Sequence, residues 1–310
     1  MKTRILGIIL LVMAQTAIAQ NISNFYSQAY GDAKNPAIIF LHGGPGYNAV
    51  SFEVSTAQTL AAQGFYVVVY DQRGSGRTKK DSTSKFTFRE AFDDLNAIYA
   101  KYKLTTATLI GHSYGGTLGL LFANAYPEKV SSLIMVSAPL SFQQTFRNII
   151  ARCRKIYTET SSVQLKYIDL LETMDTASLE YSSYCFLHAR ACGLYKTKNP
   201  APRSKTISDS LKKCPWAAYL SNMTSAPVSG LYKNEHYTTL NLTASLAALK
   251  GKVKVFGIYG QDDGLFDAAE IAQLQSAIGA ENFTFVPDAS HTVFVDQPDV
   301  FIALIKKYMH

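Results

Sequence analysis

The sequence predicts a doubly wound, mostly parallel α/β sheet that carries an inserted helical cap. Three observations lead to that expectation. Short apolar runs recur along the chain, most end at a glycine- or aspartate-bearing turn, and helical stretches separate them. The alternation stops after about Leu140 and resumes near residue 245, and the stretch between is rich in helix formers and tyrosines. At 310 residues the chain has room for one large α/β domain with an insertion.

Taken in order, the chain opens with Lys2 and Arg4, an apolar run from Ile5 to about Ala14, and then Thr16-Ala17-Ile18-Ala19-Gln20. A charged start, a short apolar core and an A-x-A site have the layout of a secretory signal. The apolar core is too short to span a bilayer comfortably. The expected organisation is a signal peptide over 1–19, a first core segment over 20–139, a helical cap over 140–236 and a second core segment over 237–310. A secreted or periplasmic protein follows from that signal. No later stretch is long and apolar enough for a transmembrane helix, so no stable membrane insertion is expected.

Residues 37–41, Ala-Ile-Ile-Phe-Leu, read as a buried strand that ends at His42-Gly43-Gly44-Pro45-Gly46. Residues 66–70 read as a second strand, ending at Asp71, and 106–110 as a third, ending at Gly111. Residues 130–136, 253–259 and 283–286 supply three more. Helices are expected at about 51–63, 88–102, 115–126, 267–278 and 298–308. In such sheets ligands bind beyond the carboxyl ends of the strands, so the turns there are the places to look for chemistry.

The third strand runs into Gly111-His112-Ser113-Tyr114-Gly115. A G-x-S-x-G pattern between a strand and a helix holds its serine on a sharp elbow, and this one makes Ser113 the candidate nucleophile. A serine hydroxyl needs a base within hydrogen-bond reach, and the base needs an orienting acid. His291 follows the last strand and is the candidate base; His236 precedes a strand and His310 ends the chain. The acid is expected after the preceding strand, in Gly260-Gln261-Asp262-Asp263-Gly264, with Asp263 preferred and Asp262 the alternative. The order Ser, Asp, His is that of α/β hydrolases. Backbone N–H groups should hold the oxyanion, one from Tyr114 and one from the turn at Gly44, with Gly43 the alternative. His42 and His112 read as structural groups of their turns. This chemistry requires neither a metal nor an organic cofactor.

The formal charge is +7, and loss of Lys2 and Arg4 with the signal leaves about +5. Most of the excess lies in residues 141–235, which include Arg147, Arg152, Arg154 and Lys155. No nucleic-acid-binding motif accompanies it. The same stretch holds all four cysteines, Cys153, Cys185, Cys192 and Cys214. An even number in an exported chain suggests at least one disulfide. Their spacings do not form the CxxC pairs of a zinc site.

Three motifs stand together: His42-Gly-Gly-Pro-Gly46, Asp71-Gln-Arg-Gly-Ser-Gly-Arg-Thr78 and Gly111-His-Ser-Tyr-Gly-Gly116. Together they resemble the proline iminopeptidase (prolyl aminopeptidase) family of α/β-hydrolase fold serine hydrolases. The likeness covers about 26–139 and 250–308 and fades in the cap. It implies Ser113, Asp263 and His291 as a triad and Gly44 and Tyr114 as oxyanion donors, with the Asp71–Thr78 segment architectural. Two positions depart from the family pattern: Tyr114 stands where it has tryptophan, and Gly111-His112 where it has Gly-Gly. In the family, cap carboxylates hold the substrate's N-terminal ammonium. Asn234-Glu235-His236-Tyr237 resembles a family segment near the end of the cap, with Glu and Asn exchanged, which makes Glu235 the candidate substrate-binding residue. Glu159, Glu172 and Glu180 are other cap acids.

With the signal implying export, the resemblance implies an aminopeptidase that releases an N-terminal residue, proline among the candidates, from short peptides through an acyl-enzyme on Ser113. The alternative on the same scaffold is a carboxylesterase or lipase-like hydrolase. A third reading is a hydrolase-fold binding protein without turnover.

Overall fold

The computed structural model describes residues 25–78, 83–160 and 162–309. The expected signal peptide over 1–19 lies outside the described residues. Among the described residues seven strands form one sheet: β1 (Ser27–Tyr30), β2 (Ala37–Leu41), β3 (Tyr66–Tyr70), β4 (Ala107–His112), β5 (Val130–Val136), β6 (Lys254–Gly260) and β7 (Phe283–Val286). Their order is β1-β3-β2-β4-β5-β6-β7. β1 runs antiparallel to β3, and every other pairing is parallel. The strand that leads to Ser113 therefore lies at the centre of the sheet.

Both faces of the sheet are covered, which explains why its central strands read as unbroken apolar runs. Ile39, Leu41, Val68, Leu109, Leu133 and Met135 face one layer. That layer includes α1 (Phe88–Lys101) and α2 (Tyr114–Ala125), packed through Leu95, Ile98, Leu118 and Phe122. Ile38, Phe40, Val67, Val69, Ile110 and Ile134 face the other. There Phe40 stacks on Phe52 with centroids 3.8 Å apart, and Phe294 and Phe301 complete the aromatic cluster.

Between β5 and β6 the chain is helical: α3 (Phe142–Thr160), α4 (Ser162–Leu171), α5 (Leu179–Ala191), α6 (Pro202–Lys213), α7 (Ser225–Glu235) and α8 (Thr243–Ala248). α9 (Ala268–Ile278) and α10 (Pro298–Met309) follow β6 and β7 respectively. The two ends of the insertion are stitched together. The Leu242 N–H donates to Leu140 O (2.8 Å), the Phe142 N–H donates to Leu240 O (3.1 Å), and Ser141 bridges Asn241. The insertion thus leaves at Leu140 and returns at Leu242, a few residues beyond the expected limit at 236.

The expected disulfide is absent, because all four cysteines are free thiols. Cys153 on α3 and Cys185 on α5 are buried, and the Cys153 thiol lies beside that of Cys192. Apolar packing takes the place of a staple. Phe146 of α3 meets Tyr181 and Phe186 of α5 at 5.9 and 5.5 Å between centroids. Tyr157 Oη and His188 Nδ1 share a hydrogen bond of 3.0 Å. A buried free thiol behaves there as a small apolar group.

The Asp71–Thr78 segment ties loops to one another. Arg77 forms a two-pronged bond with Asp71, Nε to Oδ2 at 2.7 Å and Nη2 to Oδ1 at 3.0 Å, and its Nη1 reaches Glu53 at 2.7 Å. Glu53 accepts the hydroxyls of Tyr26 (2.8 Å) and Tyr30 (2.7 Å), and the Arg77 guanidinium lies 3.5 Å over the Tyr26 ring. Every charge in this buried group has a partner, which burial in a low dielectric demands.

The neck of the insertion holds one further buried acid. Glu270, at the start of α9, accepts the N–H groups of Leu140 (2.8 Å) and Ser141 (3.1 Å) and the Thr145 hydroxyl (3.2 Å). Burial nevertheless pushes its carboxyl up to about 7, and these donors only partly pull it back. The folded chain therefore holds this proton in a pH range where the unfolded chain has lost it. Stability is present at low pH and declines as pH rises between about 4.5 and 7. A shift of this size corresponds to a loss on the order of 3 kcal/mol across that window. In Glu270→Gln, which keeps both acceptor and donor, that part of the decline is expected to vanish. Urea unfolding at a series of pH values checks it, and identical pH slopes in the two proteins would refute it.

Candidate active site

Four turns meet at the carboxyl ends of β2, β4, β6 and β7. The first two carry the candidate nucleophile and its oxyanion donors. Ser113 lies between β4 and α2 with φ 53° and ψ −127°, a conformation that side-chain-bearing residues rarely adopt. Its N–H donates to Val136 O (2.9 Å), and its carbonyl accepts the Gly116 N–H (2.8 Å). A side chain at Gly115 would put its Cβ 2.0 Å from Leu41 O, so only glycine lets the elbow close on the end of β2.

The turn after β2 reaches the elbow directly. A Cβ placed on Gly43 would lie 3.0 Å from Ser113 Cβ. Gly44 follows at φ +129°, ahead of a cis Gly44–Pro45 peptide. Tyr114 is the first residue of α2, where backbone N–H groups have no partner within the helix. Its ring is buried and edge-on to Tyr237 at 6.5 Å. Tyr114 thus follows Ser113 directly, and Gly43, the alternative to Gly44, is the residue of the other turn that lies against it.

His42 holds this turn in place. The Gln72 N–H donates to its Nε2 (2.9 Å), so the neutral ring carries its hydrogen on Nδ1 and donates to Gly43 O (2.8 Å). Burial pushes its pKa down and keeps it neutral. The chain thereby joins the HGGPG turn to the segment starting at Asp71.

The other two turns bring Asp263 and His291 together. His291 Nδ1 lies 2.9 Å from Asp263 Oδ2, and both residues are buried. The other oxygen of Asp263 accepts the Leu265 N–H at 3.1 Å. A carboxylate at Nδ1 leaves Nε2 as the basic nitrogen of the ring. Asp262, by contrast, is exposed and accepts the Thr197 hydroxyl at 2.6 Å. The residue before Ser113 links this pair to the elbow, since His112 Nε2 bonds to His291 O at 3.0 Å with ring centroids 4.9 Å apart. Burial, with the neighbouring His291, pushes His112 down to about 3, so it is a neutral donor.

The cap residues expected at the substrate's amino end have partners within the protein. Glu235 accepts the N–H of Phe88, the first residue of α1, at 2.7 Å. Its carboxylate completes that helix N-terminus, where negative charge is favoured. Asn234 Nδ2 donates to Lys85 O (2.7 Å) and Gly230 O (3.0 Å). Glu172 pairs with Arg154, while Glu180 lies in the first turn of α5. His236 ends α7 in the left-handed region, away from the Asp263–His291 pair in the chain path.

Several site residues carry no sequence signal. Tyr195, from the insertion, stands edge-on to His291 with centroids 5.1 Å apart, and Phe266 stacks against the same ring at 6.3 Å. Ser290 is fully buried beside His291. Thr224 holds the insertion against the first two motifs, donating from N to Gly46 O (2.9 Å) and from Oγ1 to Gly74 O (2.7 Å).

Comparison with known proteins agrees with this architecture. A family model described as alpha/beta hydrolase fold matches residues 36–298. The proline iminopeptidase of Levilactobacillus brevis is 25% identical over 297 residues, covering 92% of each chain. That of Lactobacillus helveticus is 23% identical over 281 residues, covering 89% of this chain and 90% of the relative. Among solved structures, a proline iminopeptidase-related protein of Thermus thermophilus superposes with a TM-score of 0.68 at 20% identity, covering 91% of this chain and 92% of that one. An esterase from Exiguobacterium antarcticum gives 0.61 at 17% identity, covering 92% and 94%. With more than half of its length matched by the family model, the chain is a hydrolase of the alpha/beta hydrolase fold family.

Proposed function

We propose that this hydrolase is exported and opens an amide or ester bond of a small substrate through an acyl-enzyme on Ser113. The observation that carries this reading is the 2.9 Å bond between Asp263 and His291, with His112 joining His291 to the nucleophile elbow. In this reading His291 removes the Ser113 proton as the hydroxyl attacks the acyl carbon. It then returns that proton to the leaving amine or alcohol, and water releases the acyl group by the reverse sequence. The N–H groups of Gly44 and Tyr114 hold the oxyanion, each worth about 3 kcal/mol in such sites. Export rests on the charged start, apolar run and A-x-A of residues 1–20.

The aminopeptidase reading draws its support from likeness over nine-tenths of the chain to the proline iminopeptidases. The esterase reading draws its support from likeness to an esterase over nine-tenths of the chain. Glu235, the candidate ammonium ligand, gives one oxygen to the Phe88 N–H, and an ammonium desolvated without a carboxylate costs several kcal/mol. A panel of proline-, alanine- and other aminoacyl-anilides beside short acyl esters separates the two. Anilide turnover is expected for the aminopeptidase, whereas rapid ester cleavage with no anilide release would replace it with the esterase.

The two neighbouring aspartates give a sharper test of the site. Asp263→Asn is expected to lower kcat/KM by about 10³-fold or more, because the imidazole loses its orienting acceptor. Asp262→Asn, whose amide oxygen still accepts the Thr197 hydroxyl, should stay within about tenfold of the parent. Ser113→Ala should abolish labelling by a fluorophosphonate probe. Equal losses at Asp262 and Asp263, or labelling that survives Ser113→Ala, would count against the assignment.

A further inference from the structure

We propose that the cap segment from Leu194 to Ala201 is a strap that positions the acid and base loops, with Ser290 as the positioning residue for His291. This rests on the reading of Ser113, Asp263 and His291 given above. Four hydrogen bonds run from the strap to the two loops, and a fifth to the short helix that follows the base loop. The Gly264 N–H donates to Leu194 O (2.9 Å), and the Ser290 hydroxyl lies 2.7 Å from Tyr195 O. The Thr197 hydroxyl donates to Asp262 Oδ2 (2.6 Å), and Asn199 Nδ2 donates to Asp288 Oδ1 (3.3 Å). The Ala201 N–H closes the series on Asp296 O (2.9 Å).

The strap's partners are not spread over the core surface. Asp262 and Gly264 flank Asp263, and Asp288 and Ser290 lie just before His291. The contact is close enough to restrict sequence: a Cβ on Gly264 would lie 2.7 Å from Leu194 Cβ. The two loops are also joined to each other, since Gln261 N–H donates to Val286 O (2.9 Å) and Asp262 N–H to Ala289 O (2.9 Å). Strap, acid loop and base loop therefore form three hydrogen-bonded layers. Tyr195 adds a wall for the imidazole, edge-on at 5.1 Å and 81°.

A loop that only anchored the cap would need no contact with the base. Ser290 is the point where the two roles separate. It is 1% exposed, and its N–H and hydroxyl both face Asp296 Oδ2, at 2.8 and 2.6 Å. Its one hydroxyl hydrogen serves either Asp296 or Tyr195 O, so the side chain is held from both sides. The next peptide carries His291. Displacing the strap loosens this residue and lets the imidazole turn away from the Ser113 hydroxyl. A shift of about 1 Å in such a group costs up to roughly 10²-fold in rate. The acid–base pair is then complete only when the cap is seated.

The test uses the full-length protein with Ser290→Ala, Thr197→Val and, as the conservative rescue, Thr197→Ser. Lys212→Gln, on the exposed ion pair with Asp209, is the cap control. The readouts are kcat and KM on whichever anilide or ester turns over, the rate of fluorophosphonate labelling of Ser113, and the thermal midpoint. Ser290→Ala is expected to lower kcat and the labelling rate by about tenfold to a hundredfold with KM within about threefold. Thr197→Val should lower both severalfold, and Thr197→Ser should restore them. Folded Ser290→Ala and Thr197→Val proteins with parental kcat and labelling rate would overturn the strap. If Ser290→Ala does not fold, the Thr197 pair decides. If the parent protein itself is not labelled, the reading of Ser113 fails and the strap's catalytic role fails with it.

Discussion

An alcohol is a poor nucleophile at neutral pH, so a serine hydrolase depends on one imidazole held in one tautomer and one orientation. In the proposed mechanism that constraint falls on the hydrogen bond from His291 Nδ1 to Asp263 Oδ2, 2.9 Å long and buried. Burial strengthens the bond and raises the cost of losing it. The rest of the site is arranged around keeping those two loops still. β6 and β7 are adjacent and parallel, so their carboxyl ends deliver Asp263 and His291 side by side. Backbone bonds from Gln261 and Asp262 into the base loop then close the gap between them. His112 carries the same rigidity across to the elbow through its bond to His291 O.

The elbow adds strain of its own. A non-glycine residue at φ 53° and ψ −127° costs about 1–3 kcal/mol, and it persists only where its surroundings leave no alternative. Those surroundings are specific. β4 pairs on both sides, with β2 and with β5, and the Ser113 N–H is taken by Val136 O. The glycine at 115 lets α2 start hard against the end of β2. Strain at Ser113, the proposed nucleophile, is therefore sustained by the central, buried part of the sheet.

Much of this was legible in the sequence because it follows from local rules. Strands covered on both faces are largely apolar, which exposed β2 to β6 as runs. The elbow was visible because a strained turn between strand and helix admits few residue types at 111, 113 and 115. β1 was not visible. Its four residues, Ser27–Tyr30, form a half-exposed antiparallel edge with no apolar run. The free cysteines were misjudged for a related reason. Composition suggests a staple, but it does not register that Phe142, Phe146 and Ile149 already supply α3 with an apolar core. Asp262 and Asp263 were hard to separate because adjacent residues in a turn differ only in direction. That direction is set by partners 65 residues upstream in the strap and 28 downstream in the base loop.

The insertion shows why substrate choice is harder to read than the reaction. Its links to the core are made by side chains that, taken singly, have several possible uses. Glu235 resembles an ammonium ligand by position, yet the start of α1 also needs an acceptor, and its carboxylate bonds to the Phe88 N–H. Thr224 clamps Gly46 and Gly74, and Glu270 holds the neck at Leu140 and Ser141. Each of these bonds ties the insertion to the core. The same cap supplies Tyr195 to the wall of His291. On the proposed function, a change in residues 194–201 therefore bears on the support given to His291, because that segment bonds to both loops.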